Sequence, residues 1–368
     1  STPVTFTYSD KEDGNYTSGV PTFTDAGTYT VYYKAEAANH EPATGTFTVT
    51  IDPLPISLLS VSSISKTYDG SADVTLTADK LTFFSKTANI KLPDTALSFS
   101  DAQFTKQQAD GSYLPSPEVG GGKALSFTMM LTSNNYVFEG KSKGTTEVSD
   151  VFATDDVNRF TITKAAAPGS GFHPAVTVIN DLAKTYEMVL SNDYLPKLSS
   201  PCEYGNVSYS LRGTYLTDGY KDTVQAEVVE ENSQYKLKLT VPAVDYDKVS
   251  SVGTIDVRVT SDNYRDFYLT IGVKTKNKDV PVPDGPISAS DITYGQALND
   301  SKIAGKMKAG GKAIDGTFTW TDGTIKPDAN DNYEAEWTFT PAAGYEKYAT
   351  ATGTVTIKVN KATPTFTA

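Results

Sequence analysis

An all-β chain of small modules joined head to tail is what this sequence predicts, and three observations predict it. The first is a recurring cassette. Gly27-Thr28-Tyr29-Thr30-Val31 is followed by Asn39-His40, and Gly122-Lys123-Ala124-Leu125-Ser126-Phe127 by Asn135-Tyr136. Gly253-Thr254-Ile255-Asp256-Val257 is followed by Asn263-Tyr264. A looser copy runs Tyr333-Glu334-Ala335-Glu336-Trp337, a Gly344-Tyr345 turn, then Gly353-Thr354-Val355-Thr356-Ile357. Each reads as an alternating strand, a polar turn and a returning strand, the pattern of a hairpin. Recurrence at this scale calls for stacked units rather than one large core.

The second observation is composition. The chain has 368 residues, of which 38% are hydrophobic, with 22 Tyr against 4 Met. β-branched and aromatic side chains suit short strands with one wet face. The third is a set of joints that follow strong strands and carry proline: Ile51-Asp52-Pro53-Leu54-Pro55, Ile162-Thr163-Lys164-Ala165-Ala166-Ala167-Pro168-Gly169 and Lys278-Asp279-Val280-Pro281-Val282-Pro283. Proline has no ladder donor, so a strand stops there, and it stiffens the link. Val359-Asn360-Lys361-Ala362-Thr363-Pro364 repeats the second joint. With no signal peptide at Ser1 and no sorting signal at Ala368, the chain reads as a piece of a longer one.

The joints set the expected modules at 1–52, 53–164, 165–279 and 280–361, with 362–368 as a linker or the start of a following module. The first is short, perhaps without its opening strand: 4–8 alternates, 21–23 is brief, 29–35 is strong and 45–51 closes. In the second, strands are expected at 56–61, 72–77, 96–99, 124–131 and 160–162. In the third they are expected at 176–179, 186–190, 207–211, 224–229, 235–241, 254–259 and 267–273. Seven strands is the count of an immunoglobulin-like β-sandwich. In the fourth, Phe318 and Trp320 share one face, as do Tyr333, Ala335, Trp337 and Phe339, while Thr317, Thr319, Glu334, Glu336 and Thr338 point away. Two facing sheets, each with an inward Trp, are expected there. Short helical turns are expected only at 181–190 and 300–308. The predicted whole is an elongated array of tandem immunoglobulin-like β-sandwich modules.

Several motifs carry a family resemblance. The second module holds Lys66-Thr67-Tyr68-Asp69-Gly70, Val119-Gly120-Gly121-Gly122-Lys123-Ala124-Leu125, Asn134-Asn135-Tyr136 and Ile162-Thr163-Lys164. It resembles the bacterial YDG repeat. The fourth opens with Ile292-Thr293-Tyr294-Gly295-Gln296 and closes with Gly353-Thr354-Val355-Thr356-Ile357-Lys358-Val359. It resembles the related MBG, or mostly bacterial immunoglobulin-like, repeat. The first module is similar to the C-terminal half of such a repeat, and the third is similar mainly through its last hairpin. The resemblance implies a secreted or wall-attached bacterial surface protein, and it brings no catalytic residues. On the residues alone, Gly70 and Gly295 permit a turn of positive φ. A neighbouring Tyr can bury its ring and bond its hydroxyl locally.

Charge and chemistry narrow the function. A net charge of −12 leaves no basic footprint for nucleic acid or anionic lipid. No apolar run reaches membrane-spanning length, so no membrane insertion is expected. The single Cys202 permits no internal disulfide, and no Gln lies near it for a thioester. Only His40 and His173 could serve as catalytic bases, and they fall in different modules. One Cys and two distant His do not make a zinc set.

Asp328-Ala329-Asn330-Asp331-Asn332 reads like the calcium linker of cadherins, which makes Asp328, Asn330 and Asp331 a calcium candidate set against a solvated turn. Lys123 near Asn135 is a conceivable isopeptide pair. Tyr32, Tyr33, Tyr345 and Tyr348 are candidates for stacking on sugar, though scattered.

The expected function is non-enzymatic: a stalk or adhesin scaffold at the bacterial cell surface, a monomer without cofactors. The alternatives are a module binding glycan or host protein through loop tips, and an accessory region of a large extracellular enzyme.

Overall fold

The computed structural model describes residues 3–141, 144–169, 173–217, 219–243 and 251–365. It is all β, with four short 3₁₀ turns and no α-helix among the described residues. Part of the 169–174 loop that carries His173, and the end of 362–368, lie outside those residues. The chain divides into two compact units. The first holds Ser1–Ala167 with Leu198–Asn206 and Ser261–Arg265; the second holds Pro168–Lys197, Val207–Thr260 and Asp266–Ala368.

In the first unit, Val4–Ser9, Gly27–Ala37 and Ala43–Ile51 form one antiparallel sheet. The register sets Tyr8 opposite Tyr33 and Val31 opposite Phe47. Cross-strand partners share a face, so Phe6, Tyr8, Tyr33 and Phe47 lie together and the threonines lie behind them. Phe6 is 45% exposed and Phe47 39%. The expected strand at 21–23 is absent because Phe23 instead stacks on Tyr29, ring centroids 4.0 Å apart.

Residues 54–163 follow with two four-stranded sheets. One runs Glu147–Phe152, Ala124–Leu131, Leu97–Gln107, Tyr113–Pro115; the other runs Tyr136–Phe138, Leu54–Val61, Leu81–Ser85, Ala88–Ile90. Between them Ile56, Leu81, Phe83, Phe104, Leu125, Phe127, Phe160 and Ile162 are sealed from solvent. Three strands arise where the sequence predicts them. The expected strand at 72–77 does not form, because this stretch makes only an isolated bridge from Asp73 to Gln103. The second cassette is not a hairpin either. Tyr136–Phe138 leaves its neighbour and pairs in parallel with Leu54–Ile56 in the other sheet. Alternation reports which face a residue takes, but not which strand it joins.

In the second unit all seven strands expected at 165–279 form. Ala175–Ile179, Phe267–Lys276, Ser251–Ser261 and Val207–Leu216 make one sheet, and Lys184–Leu190, Gln234–Val241 and Gln225–Glu231 the other. This four-plus-three split is an immunoglobulin-like sandwich. Its core includes Val178, Leu237, Leu239, Ile255, Val257 and Ile271. The helical turn expected at 181–190 is a strand, paired along its length with Gln234–Val241. Residues 300–308 are likewise extended, as Ile303–Ala304 and Met307–Ala309.

The last sheet orders Ile292–Thr293, Ala351–Asn360, Asn330–Pro341 and Gly316–Trp320. Its register puts Phe318 opposite Phe339 and Trp320 opposite Trp337. The two tryptophans therefore belong to one sheet rather than to two facing sheets. Both project into the same core beside Ala335, Phe339, Val355 and Ile357. The expected face is right and the expected partner is wrong, since period-two alternation is identical for neighbours in one sheet and for residues meeting across two.

Candidate functional site

The densest gathering of polar and aromatic groups lies in the first unit, around Tyr68-Asp69-Gly70. The strand Ile64–Thr67 pairs in parallel with Phe160–Thr163, and the Tyr68 amide then donates to the Thr163 carbonyl at 2.9 Å. Gly70 turns the chain at φ +80°. Two distant segments sit on this turn. Residues 198–206 bring Pro201, Cys202, Glu203 and Tyr204; Ser261–Arg265 brings Asn263 and Tyr264.

The fit is specific. The Glu203 amide donates to the Tyr68 hydroxyl at 3.1 Å. Tyr264 meets the Tyr68 ring edge-on at 5.8 Å and lies 5.4 Å from Tyr204. Ala165 bridges Tyr264 in parallel, with the Ala165 amide donating to Asn263 and the Arg265 amide to Ala165, each at 2.9 Å. Lys164 Nζ donates to the Ser261 carbonyl at 2.5 Å. A Cβ on Gly70 would stand 2.8 Å from the Pro201 carbonyl carbon and 2.9 Å from the Cys202 nitrogen. The hydroxyl of Tyr68 thus bonds 135 positions away, not locally as its place beside a turn suggests.

Beside this seat opens a cleft of about 580 Å³ lined by Tyr68, Glu118, Lys164, Glu203, Asp262 and Asn263. Its groups are already engaged. Asp262 Oδ2 accepts from the Asn206 amide and side chain at 2.9 and 2.8 Å, and Asn263 Nδ2 donates to the Glu203 carbonyl at 3.0 Å. Such groups hold the loops to one another.

Burial, with a hydrogen bond to Cys202, pushes the Tyr264 hydroxyl from 10.0 up to about 12. Burial also raises Tyr204. A pKa raised on folding means that neutral Tyr264 stabilises the fold fully below 10.0, and that this contribution disappears as pH rises through about 12. We therefore expect urea midpoints to fall between those values, and Tyr264→Phe to flatten the fall. An unchanged slope in the variant would assign the alkaline loss to other tyrosines.

A second clamp uses Asn135. Its Oδ1 accepts from the Ala26 amide at 2.6 Å, and its Nδ2 donates to Asp25 Oδ1 at 2.8 Å. That occupies the side chain offered as an isopeptide acceptor. Its supposed partner, Lys123, is buried at 5% exposure and donates to Ser116 Oγ at 2.8 Å. Burial lowers the pKa of this amine. The structure does not bring Lys123 and Asn135 together.

The other sequence candidates are dispersed. Asp328, Asn330 and Asp331 are exposed. Asn330 Oδ1 accepts from the Asn332 amide at 2.8 Å, and Asp331 lies 3.5 Å from Lys358. No three His, Cys, Asp or Glu among the described residues gather as a metal group would. His40 is exposed, its ring nitrogen 2.9 Å from the Ala38 carbonyl. Tyr345 and Tyr348 are half-buried with centroids 6.3 Å apart, and Tyr32 and Tyr33 are half-buried on opposite faces of a strand. No helix among the described residues is long and apolar enough to cross a membrane.

No family model matches the sequence, and no curated protein matches it. Solved structures do align. Protocadherin Gamma B2 extracellular cadherin domains 3-6 align at 10% identity over 98% of this chain and 93% of that chain, with a TM-score of 0.32. The human Desmocollin-1 ectodomain aligns at 14% identity over 99% and 73%, with a TM-score of 0.27. An endo-fucoidan hydrolase of glycoside hydrolase family 107 aligns at 12% identity over 75% and 38%, with a TM-score of 0.18. No family follows from matches at these scores.

Proposed function

We propose that this chain is a non-enzymatic scaffold, a series of β modules from a bacterial cell-surface protein of the MBG and YDG type, acting outside the cell to hold other regions in place. The observation that carries the reading is a repeated joint. Shortly after a proline-bearing joint begins, the incoming chain pairs in parallel with a tyrosine that follows a hairpin or turn: Leu54 with Tyr136, Ala165 with Tyr264, and Asp279 with Tyr348. A chain that rebuilds one connection three times is organised around its connections. The engagement of Lys123, Lys164 and Asp262 by neighbouring protein atoms supports a structural reading of those groups over a reactive one.

One observation favours a second reading. The exposed face of Phe6, Tyr8, Tyr33 and Phe47 offers the flat aromatic surface that a glycan or protein ligand uses. The whole chain on glycan and matrix-protein arrays separates the two. The scaffold reading expects background signal throughout; a hit abolished by Phe6→Ser or Phe47→Ser replaces it with binding. Single-molecule pulling should show several successive unfolding events rather than one.

A further inference from the structure

The second unit carries an empty counterpart of the Tyr68 seat. The strand Ile292–Thr293 pairs in parallel with Val359 and Asn360, as Ile64–Thr67 pairs with Phe160–Thr163. The Tyr294 amide donates to the Asn360 carbonyl at 2.8 Å, as the Tyr68 amide does to Thr163 at 2.9 Å. Gly295 then turns the chain at φ +100°, as Gly70 does at +80°. Beyond the exit strands, Lys361-Ala362 stands where Lys164-Ala165 stands. The motif is one residue shorter, Tyr-Gly against Tyr-Asp-Gly.

The environments are opposite. Tyr68 is 8% exposed beneath Tyr264 and residues 198–206, whereas Tyr294 is 55% exposed. A Cβ on Gly70 meets the backbone at Pro201 and Cys202; one on Gly295 meets nothing within 4 Å. Lys164 Nζ is held by a carbonyl and Ala165 is paired on both its amide and its carbonyl, while Lys361 and Ala362 are exposed and belong to no strand.

We infer that Tyr294, Gly295 and the Lys361-Ala362 backbone form a docking surface for a further β module of this same construction, continuing from Ala362. It would lay the tyrosine after its hairpin against Ala362 and Tyr294, set a short loop over Gly295, and offer a backbone carbonyl to Lys361. The chain's own joints argue for this occupant over a small ligand, because the seat's filled counterpart is covered by two chain segments whose contacts are main-chain bonds and aromatic edges. An exposed tyrosine beside an unpaired backbone step offers both kinds of contact. The proposal rests on the reading of the chain as a series of like modules. Ligand binding elsewhere on the surface would leave it standing.

The test extends the full chain after Lys361 with a second copy of residues 165–279, and in a separate protein with a second copy of residues 280–361. Nitration of Tyr294 by tetranitromethane, followed by mass spectrometry, reads the seat, and Tyr68 in the same molecule serves as the covered standard. Docking predicts nitration of Tyr294 slowed by about tenfold or more in at least one extended chain, corresponding to an open state at or below about a tenth of the population. Gly295→Val should restore the original rate. If Tyr294 reacts equally fast in the original and both extended chains, with the appended copies shown to be folded by amide protection, the surface is not a module seat.

Discussion

Valine in place of Gly70 should expel residues 198–206 from their seat and destabilise the first unit by about 3 kcal/mol. Two costs combine. At φ +80° a side chain meets its own backbone, which costs on the order of 1–2 kcal/mol for an L-residue. The added Cβ also stands 2.8–2.9 Å from main-chain atoms of Pro201 and Cys202, which yield only if the loop moves. Forced repacking of this kind costs roughly 1–3 kcal/mol. Gly111→Ala isolates the first cost, since Gly111 has φ +85° with nothing within 4 Å. Cys202, the one thiol, reports the second. It is half-buried beside Tyr264, so its reaction with a maleimide should accelerate strongly in Gly70→Val and stay unchanged in Gly111→Ala. Equal thiol reactivity in both variants would mean that the loop does not depend on the glycine.

The same glycine shows how far the sequence was legible. That Tyr68-Asp69-Gly70 is a turn follows from its composition. That the turn is a seat does not, because the groups covering it lie around positions 201–204 and 263–264, and no periodicity links them to it. The seven strands of 165–279 were readable, since each buries one face and alternates accordingly. Residues 72–77 carried the same alternation but found only one bridging partner, at Gln103. Asn135 and Asn263 were legible as turn residues. Their side chains, however, were free to bond far from home, to Asp25 and Ala26 in one case and to Glu203 in the other. Sequence patterns report local geometry and face, whereas joints are built from long-range main-chain bonds that any residue can supply.

Gly353 and Trp337 should behave as one unit in the last module. They are register partners, and the indole lies over the glycine, so that a Cβ there would stand 2.5 Å from Cζ2 and 2.9 Å from Cε2. The ring has no room to retreat. Trp337 is 3% exposed, with Phe318 edge-on at 5.3 Å. Gly353→Val should therefore cost about 3 kcal/mol, at the upper end of overpacking penalties. Trp337→Leu alone leaves a cavity and should cost about 3 kcal/mol as well. Together the losses should fall well short of additive, with a favourable coupling of about 1–2 kcal/mol, because the valine occupies space the indole vacates. The indole nitrogen favours this outcome. Trp337 Nε1 is buried without a hydrogen-bond partner, whereas Trp320 Nε1 donates to the Ser301 carbonyl at 3.0 Å. Removing Trp337 thus breaks no polar bond, and the cycle reads packing alone. Urea unfolding of the four proteins, followed by Trp320 fluorescence, measures the coupling. Strict additivity would show that the indole moves aside freely and that Gly353 is not held small by its neighbour.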